Sequence, residues 1–184
     1  LGRRGLGQTW PNPAVGCVLV KDGHVVGQGW TQPGGRPHAE PEALQQAGDK
    51  ARGGTAYVTL EPCAHYGKTP PCAEAIIKAG VARVVVGCLD PDPRVDGRGI
   101  DKLQAAGIAV ETGVLAAHAK ADLAGFLLKI QQGRPLFTWK VASSLDGRIA
   151  LSNGASQWIT GEAARRVGHG LRATHDAILV GRGT

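Results

Sequence analysis

Residues 55–88 read TAYVTLEPCAHYGKTPPCAEAIIKAGVARVVVGC. Thr55 to Leu60 is β-branched and aromatic and predicts a strand. Cys72 to Ala79, entered through Pro70-Pro71 and stopped at Gly80, predicts a helix, and Arg83 to Cys88 predicts the next strand. Strands alternating with helices of this size argue for an α/β fold with a sheet covered on both faces and chemistry at the strand-to-helix turns along one edge. Towards the N-terminus, Val15 to Val20 is an apolar run followed by a Lys21-Asp22-Gly23-His24 hairpin turn, and Val25-Val26 returns toward Trp30. After the Pro33-Gly34-Gly35 loop, Glu40 to Ala47 predicts a helix ended by Gly48. Towards the C-terminus come a helix near Ile100 to Ala106, Gly107 as its stop and a short strand Ile108 to Glu111. The predicted order is ββαβαβαβ.

Beyond this run, Leu115 to Ile130 predicts one amphipathic helix, ended by Gln131-Gln132-Gly133-Arg134-Pro135. We place the domain boundary there, giving domains over 1–132 and 136–184. Phe137 to Ala142 predicts a fresh strand, Ser144 to Gly147 a turn, Gly161 to Arg172 a helix and Ala177 to Val180 another strand. A second α/β domain is expected to begin here. The absence of methionine and the end at Thr184 after an apolar run lead us to read the chain as a fragment.

Composition narrows the function. With 42% hydrophobic and 20% charged residues among 184, the chain has globular make-up, and its 28 glycines and 11 prolines imply many tight loops. No run nears the ~18 apolar residues of a membrane span, and Leu1 to Thr9 lacks the apolar core of a secretion signal. The net charge of +6 favours anionic partners, but scattered basic residues and 4% aromatics argue against bulk nucleic-acid binding. Four cysteines without signs of export point to reduced thiols or metal ligands in the cytoplasm. Cys17 and Cys88, within apolar runs, read as core residues.

The chemistry-bearing set is His38-Ala39-Glu40, Glu61-Pro62-Cys63 and Cys72. Residues two apart on a regular helix point to nearly opposite sides, so His38 and Glu40 share a centre only around a helix tip, and Pro37 and Pro41 bracket such a tip. Cys63 follows a strand end and Cys72 opens a helix, so both thiols are expected near backbone N–H groups that favour thiolate. One imidazole and two thiolates make a three-ligand zinc site with its fourth position open, the pattern of a catalytic site. Glu40 is then the proton carrier beside the metal. A closed, non-catalytic zinc module with His65 as fourth ligand is the competing reading. Asn12 between prolines either caps a turn or meets substrate. Neither Gly5-Leu6-Gly7 nor Gly181-Arg182-Gly183 fits the full dinucleotide fingerprint, and the first reads as structural.

These motifs resemble the zinc-dependent nucleobase deaminases, whose signature is His-x-Glu with Pro-Cys and a second Cys. Eight residues separate Cys63 from Cys72, where cytidine and tRNA-adenosine deaminases have two. With Gly67-Lys68-Thr69-Pro70-Pro71, Pro11-Asn12-Pro13-Ala14-Val15-Gly16, Asp90-Pro91-Asp92-Pro93 and Gly97-Arg98-Gly99, the chain is similar to the bifunctional deaminase–reductase family of riboflavin biosynthesis. Lys140 to Arg148 and Ser156 to Gly161 resemble the opening of that family's reductase. The resemblance implies a cytidine-deaminase-like three-layer sandwich with a mixed sheet, then the start of a dihydrofolate-reductase-like domain. It implies zinc on His38, Cys63 and Cys72, catalysis by Glu40, and a pyrimidine ribose-phosphate substrate near Asn12, His65 and Lys68. It further places Ser156 and Arg172 at the ribose phosphate of the reductase step and Ala142, Trp158, Thr160 and Thr184 around NADPH, and it makes Gly181-Arg182-Gly183 a candidate dinucleotide loop. A homo-oligomer is expected, with no nucleic acid and no membrane. One departure is Glu42, where the family often has histidine. A cytidine or tRNA-adenosine deaminase is the alternative within the fold.

Overall fold

A computed structural model describes residues 1–182. The chain divides into two compact units, Leu1–Leu136 and Phe137–Thr184.

In the first unit, β1 (Gly16–Lys21) and β2 (His24–Trp30) form the predicted hairpin. Asp22 and Gly23 both take positive φ, 50° and 76°, as a tight two-residue hairpin turn requires. β3 (Thr55–Leu60), β4 (Arg83–Cys88) and β5 (Ala109–Thr112) complete a sheet of order β2-β1-β3-β4-β5. β1 runs antiparallel to β2 and β3, whereas β3, β4 and β5 are parallel, so the sheet is mixed. The helices of this unit are α1 (Ala39–Ala47), α2 (Cys72–Ala79), α3 (Arg98–Ala105), α4 (Ala116–Asp122) and α5 (Ala124–Gln132).

Cys17, Leu19, Ala56, Val58, Leu60, Val84 and Val86 alternate along β1, β3 and β4 and are all buried, which defines the core face of the sheet. α1 turns Ala39, Ala43 and Ala47 inward and rides directly on β2. Its approach depends on missing side chains: a Cβ on Gly27 would lie 2.2 Å from the Ala43 carbonyl oxygen, and one on Gly29 2.4 Å from that of Ala39. The opposite face is covered at β4, where a Cβ on Gly87 would meet Ala119 of α4 at 2.9 Å. Towards the hairpin that face opens to solvent, leaving Tyr57 42% and Val25 62% exposed. Coverage of both faces therefore holds at one end of the sheet only, because no helix crosses over β1 and β2 on that side among the described residues.

The predicted helix from Leu115 to Ile130 is two helices. Its apolar stripe, Ala119, Leu123, Phe126 and Leu127, packs on the core as expected. Leu123, however, has φ −99° and ψ 7°, so the backbone leaves helical geometry for one residue. Gly125, two positions on, weakens helix continuity there.

The second unit carries α6 (Glu162–Ala173), close to its predicted span, and the Ser144 turn, where Gly147 N–H donates to the Ser144 carbonyl at 3.0 Å. The strands expected at Phe137–Ala142 and Ala177–Val180 do not form among the described residues. A strand needs a ladder partner and a buried face. Here Phe137, Trp139 and Leu179 are 76%, 89% and 91% exposed. No helix among the described residues is long and apolar enough to cross a membrane.

Candidate active site

Three chain turns converge at one end of the sheet. β3 ends at Leu60 and delivers Glu61-Pro62-Cys63. α1 begins just after His38, and α2 begins at Cys72. His38 is the residue capping α1, with extended backbone (φ −72°, ψ 168°), whereas Glu40 lies in the first helical turn. That change of backbone is why two residues at a spacing unfavourable on a helix reach the same centre.

The His38 Nδ1 lies 3.3 Å from Cys72 Sγ and 3.8 Å from Cys63 Sγ, and the three ligand atoms all fall within 4.8 Å of one another. A tetrahedral zinc with its usual bond lengths spaces such donors by about 3.5–3.8 Å, so the donor set and its dimensions fit the metal. Cys72 N–H donates to Cys63 Sγ at 3.2 Å, and Ala73 N–H donates to the Cys63 carbonyl at 3.2 Å. The first turn of α2 thus holds both the thiol and the peptide of Cys63.

The electrostatics of the group follow from this crowding. Hydrogen bonding from the Cys72 side chain, reinforced by His38 and the Cys72 N–H, holds the Cys63 thiol down at about 4 against an opposing effect of burial. Cys72 moves the other way, because it shares its proton with Cys63 and is buried beside Glu40. Both thiols lie beside the first turn of α2, and a divalent cation placed between them would favour the anionic form of each. His38 is raised, chiefly by its bond to Cys63. Glu40, only 4% exposed, is pushed up to about 7, first by burial and then by the Cys63 charge.

The other expected substrate residues lie on the segments flanking this group. Asn12 Nδ2 donates to the Gly35 carbonyl at 2.7 Å, which ties the Pro11–Pro13 loop to the stretch leading into His38. His65 and the exposed Lys68 sit on the loop between the two cysteines. The His65 Nδ1 is buried with no hydrogen-bond partner among the described residues, and the ring lies outside the three-ligand group. Arg36 donates to Thr69 of the same loop, linking it to the α1 approach. Glu42 also lies outside the ligand group and packs by its Cβ over Gly29 of β2. Cys17 and Cys88 are buried core residues, as expected.

In the second unit, Arg165 stacks on Trp158 at 4.4 Å and donates to the Thr160 carbonyl at 2.6 Å. Arg172 meets His169 at 3.2 Å. Ser156 is exposed and Ala142 half-buried, and neither joins the Arg165 group through a hydrogen bond among the described residues. Trp158 is 69% exposed. Thr184, and Gly183 of the candidate dinucleotide loop, lie outside the described residues.

Sequence reasoning named Glu61 in the chemistry-bearing set without giving it a role, and passed over Lys102. Glu61 is 3% exposed, and its carboxylate accepts from four backbone N–H groups: Asp90 at 3.3 Å, Gly97 at 3.1 Å, Gly99 at 3.0 Å and Ile100 at 3.4 Å. Lys102 Nζ donates to the Ala64 carbonyl and to Glu74 Oε1, each at 3.0 Å. The available signal was the carboxylate next to Pro62-Cys63; its partners lie 29 to 39 residues away, beyond any local pattern.

Two family models match the chain: the cytidine and deoxycytidylate deaminase zinc-binding region over residues 4–88, and the RibD C-terminal domain over residues 135–184. The riboflavin biosynthesis protein RibD of Escherichia coli is 53% identical over 184 residues, all of this chain and 50% of that protein. Its counterpart in Aquifex aeolicus is 50% identical over the same length, covering 52% of that protein. Among solved structures, Acinetobacter baumannii RibD superposes with a TM-score of 0.85 at 55% identity, over 95% of this chain and 49% of that one. A Thermotoga maritima protein described as a diaminohydroxyphosphoribosylaminopyrimidine deaminase/5-amino-6-(5-phosphoribosylamino)uracil reductase superposes with a TM-score of 0.92 at 45% identity, over all of this chain and 53% of that one. The chain spans about half the length of these relatives. Two family matches in the order that RibD requires, together with identity along the whole chain, establish that it belongs to the RibD family of riboflavin biosynthesis proteins.

Proposed function

We propose that the first unit is a zinc-dependent deaminase acting on 2,5-diamino-6-ribosylamino-4(3H)-pyrimidinone 5′-phosphate, replacing a ring amino group by oxygen from water and releasing ammonia. The observation that carries this is the burial of the Glu40 carboxyl beside the His38, Cys63 and Cys72 donors. Zinc held by these three residues supplies a Lewis acid that makes water nucleophilic near neutral pH. The chain's own residues do the rest. Glu40, with its proton affinity raised into the neutral range, takes a proton from the attacking water, passes it to the ring nitrogen and returns one to the departing amine. His65, Lys68 and Asn12 are assigned to the heterocycle and the ribose phosphate; their place on segments bordering the site supports that assignment.

For residues 136–184 the family reading is the opening of a reductase that uses NADPH to convert the ribosyl chain to ribityl, with Ala142, Trp158, Thr160 and Thr184 toward the cofactor and Ser156 and Arg172 toward the ribose phosphate. Trp158 is exposed and Thr184 lies outside the described residues, so no hydride step is assigned to this unit. We further assign the chain to the cytoplasm, consistent with four free cysteines, and to a homo-oligomer, for which the open Val25–Tyr57 sheet face is an available surface.

The test is Glu40→Gln, assayed for ammonia release on the pyrimidine phosphate and on cytidine with zinc content measured alongside. Loss of general acid–base catalysis predicts a drop of about 10²–10⁴-fold at unchanged zinc content. Activity within about twofold of the parent removes Glu40 from the mechanism, and preference for cytidine overturns the substrate assignment.

A further inference from the structure

Helix α3 carries none of the three candidate metal donors, yet it grips both cysteine-bearing segments. Its N-terminal N–H groups, from Gly97, Gly99 and Ile100, converge on the buried Glu61 carboxylate two residues before Cys63. One turn later Lys102 donates to the carbonyl of Ala64, directly after Cys63. The same ammonium bonds Glu74, two residues beyond Cys72 in the first turn of α2. Between these contacts the helix lies against the Pro62 peptide so closely that a Cβ on Gly99 would come within 2.0 Å of the Pro62 carbonyl oxygen. Each residue from Glu61 to Ala64 is held, two of them by α3: Glu61 N–H donates to the Cys88 carbonyl of β4 at 3.0 Å, Pro62 is packed under Gly99 of α3, the Cys63 carbonyl accepts from Ala73 of α2, and the Ala64 carbonyl accepts from Lys102 of α3.

Resting on the zinc reading above, we infer that Glu61 and Lys102 are positioning residues that use α3 as a template to set the separation of Cys63 and Cys72, and so the affinity and geometry of the metal centre. Eight intervening residues give the cysteine loop no fixed span of its own. Three backbone donors at the start of α3, with Asp90 N–H as a fourth from just beyond the end of β4, converge on one carboxylate and fix the loop at one end. The Lys102 bridge fixes the other end. Residues that orient metal ligands in this way are worth about 10–100-fold in metal affinity.

The experiment measures zinc affinity by chelator competition, together with the thiolate-to-metal absorption of the cobalt-substituted protein. It compares the parent with Glu61→Gln, Lys102→Met, Lys102→Arg and Asp101→Asn. Gln turns one acceptor oxygen into a donor facing two N–H groups, and Met keeps the aliphatic stem of Lys102 while removing its charge. Zinc dissociation constants raised about 10–100-fold in Glu61→Gln and Lys102→Met, with altered cobalt spectra, are expected. Lys102→Arg should recover most of the affinity, and Asp101→Asn, on the exposed face of the same helix, should match the parent. If Glu61→Gln does not fold, Lys102→Met carries the test alone. Affinity within about twofold of the parent overturns the inference, as does a loss wholly matched by destabilisation of the zinc-free protein. A parent that binds no stoichiometric zinc removes the zinc reading and this inference together.

Discussion

At the residue scale, neighbouring carboxyls in this molecule are driven in opposite directions by their surroundings. Asp92 lies against Arg94, which holds its carboxyl down to about 2, while burial pushes Asp90 up to about 6, with Asp92 and Glu61 adding repulsion. The two therefore give opposite pH dependences. The folded-state contribution of Asp92 is present above its ordinary value of 3.8 and is lost as pH falls through about 2. That of Asp90, whose folded state prefers the proton, is full below 3.8 and is lost as pH rises through about 6. Asp90→Asn keeps an oxygen to accept from Asp92 N–H, a 2.9 Å bond in the parent, and removes the buried charge. It should be more stable than the parent at neutral pH, with the difference gone by about pH 4. Asp92→Asn should be less stable at neutral pH, and that gap should close in strong acid. Urea melts across the pH range check both; a gap independent of pH in either variant contradicts the assignment. Legibility at this scale was uneven. His38, Glu40, Cys63 and Cys72 were readable because ligand chemistry restricts residue types, whereas the partners of Glu61 are backbone groups, which no side-chain identity announces.

At the element scale, the active-site group depends on how α1 sits on β2. Gly27 and Gly29 let the helix backbone touch the strand, and the Ala39, Ala43 and Ala47 stripe keeps the contact thin. Gly29→Ala places a methyl group 2.4 Å from the Ala39 carbonyl, one residue from both His38 and Glu40. Overpacking of this kind costs about 1–3 kcal/mol. Denaturant melts should register that loss, and metal affinity should fall with it because the displaced turn carries His38, one of the three candidate donors. An unchanged melt would mean that α1 is free to shift without cost. β3, α2 and β4 were legible from sequence to the residue, since periodicity, Pro70-Pro71 and Gly80 all agree there. The break at Leu123 was not legible, because the apolar stripe runs straight through it.

At the scale of the whole molecule, the two units differ in what they bury. The first closes a core around Leu19, Leu60, Ile76, Val84, Val86 and Leu103, all at 2% exposure or less. The second leaves Phe137, Trp139, Leu145 and Leu179 between 76% and 107% exposed, with Gly168 its one buried position among the described residues. Amide hydrogen exchange should therefore separate them: protection approaching the global stability in β3 and β4, and exchange by local opening across residues 137–160. Strong protection of 137–160 would mean that this unit has a core of its own. The strands expected at Phe137–Ala142 and Ala177–Val180 failed for the same reason, since strand-like composition forms a strand only where a neighbour completes the ladder. By itself, the sequence determined the element order from β1 to β5 and the family, and it pointed to the donor set, because periodicity, turn chemistry and ligand identity are local properties. Tertiary structure alone decided which sheet face stays open, which backbone groups meet the Glu61 carboxylate, and that a helix carrying none of the three donors contacts both cysteine segments. Those outcomes rest on distances between residues far apart in the chain, and such distances are fixed only when the core closes.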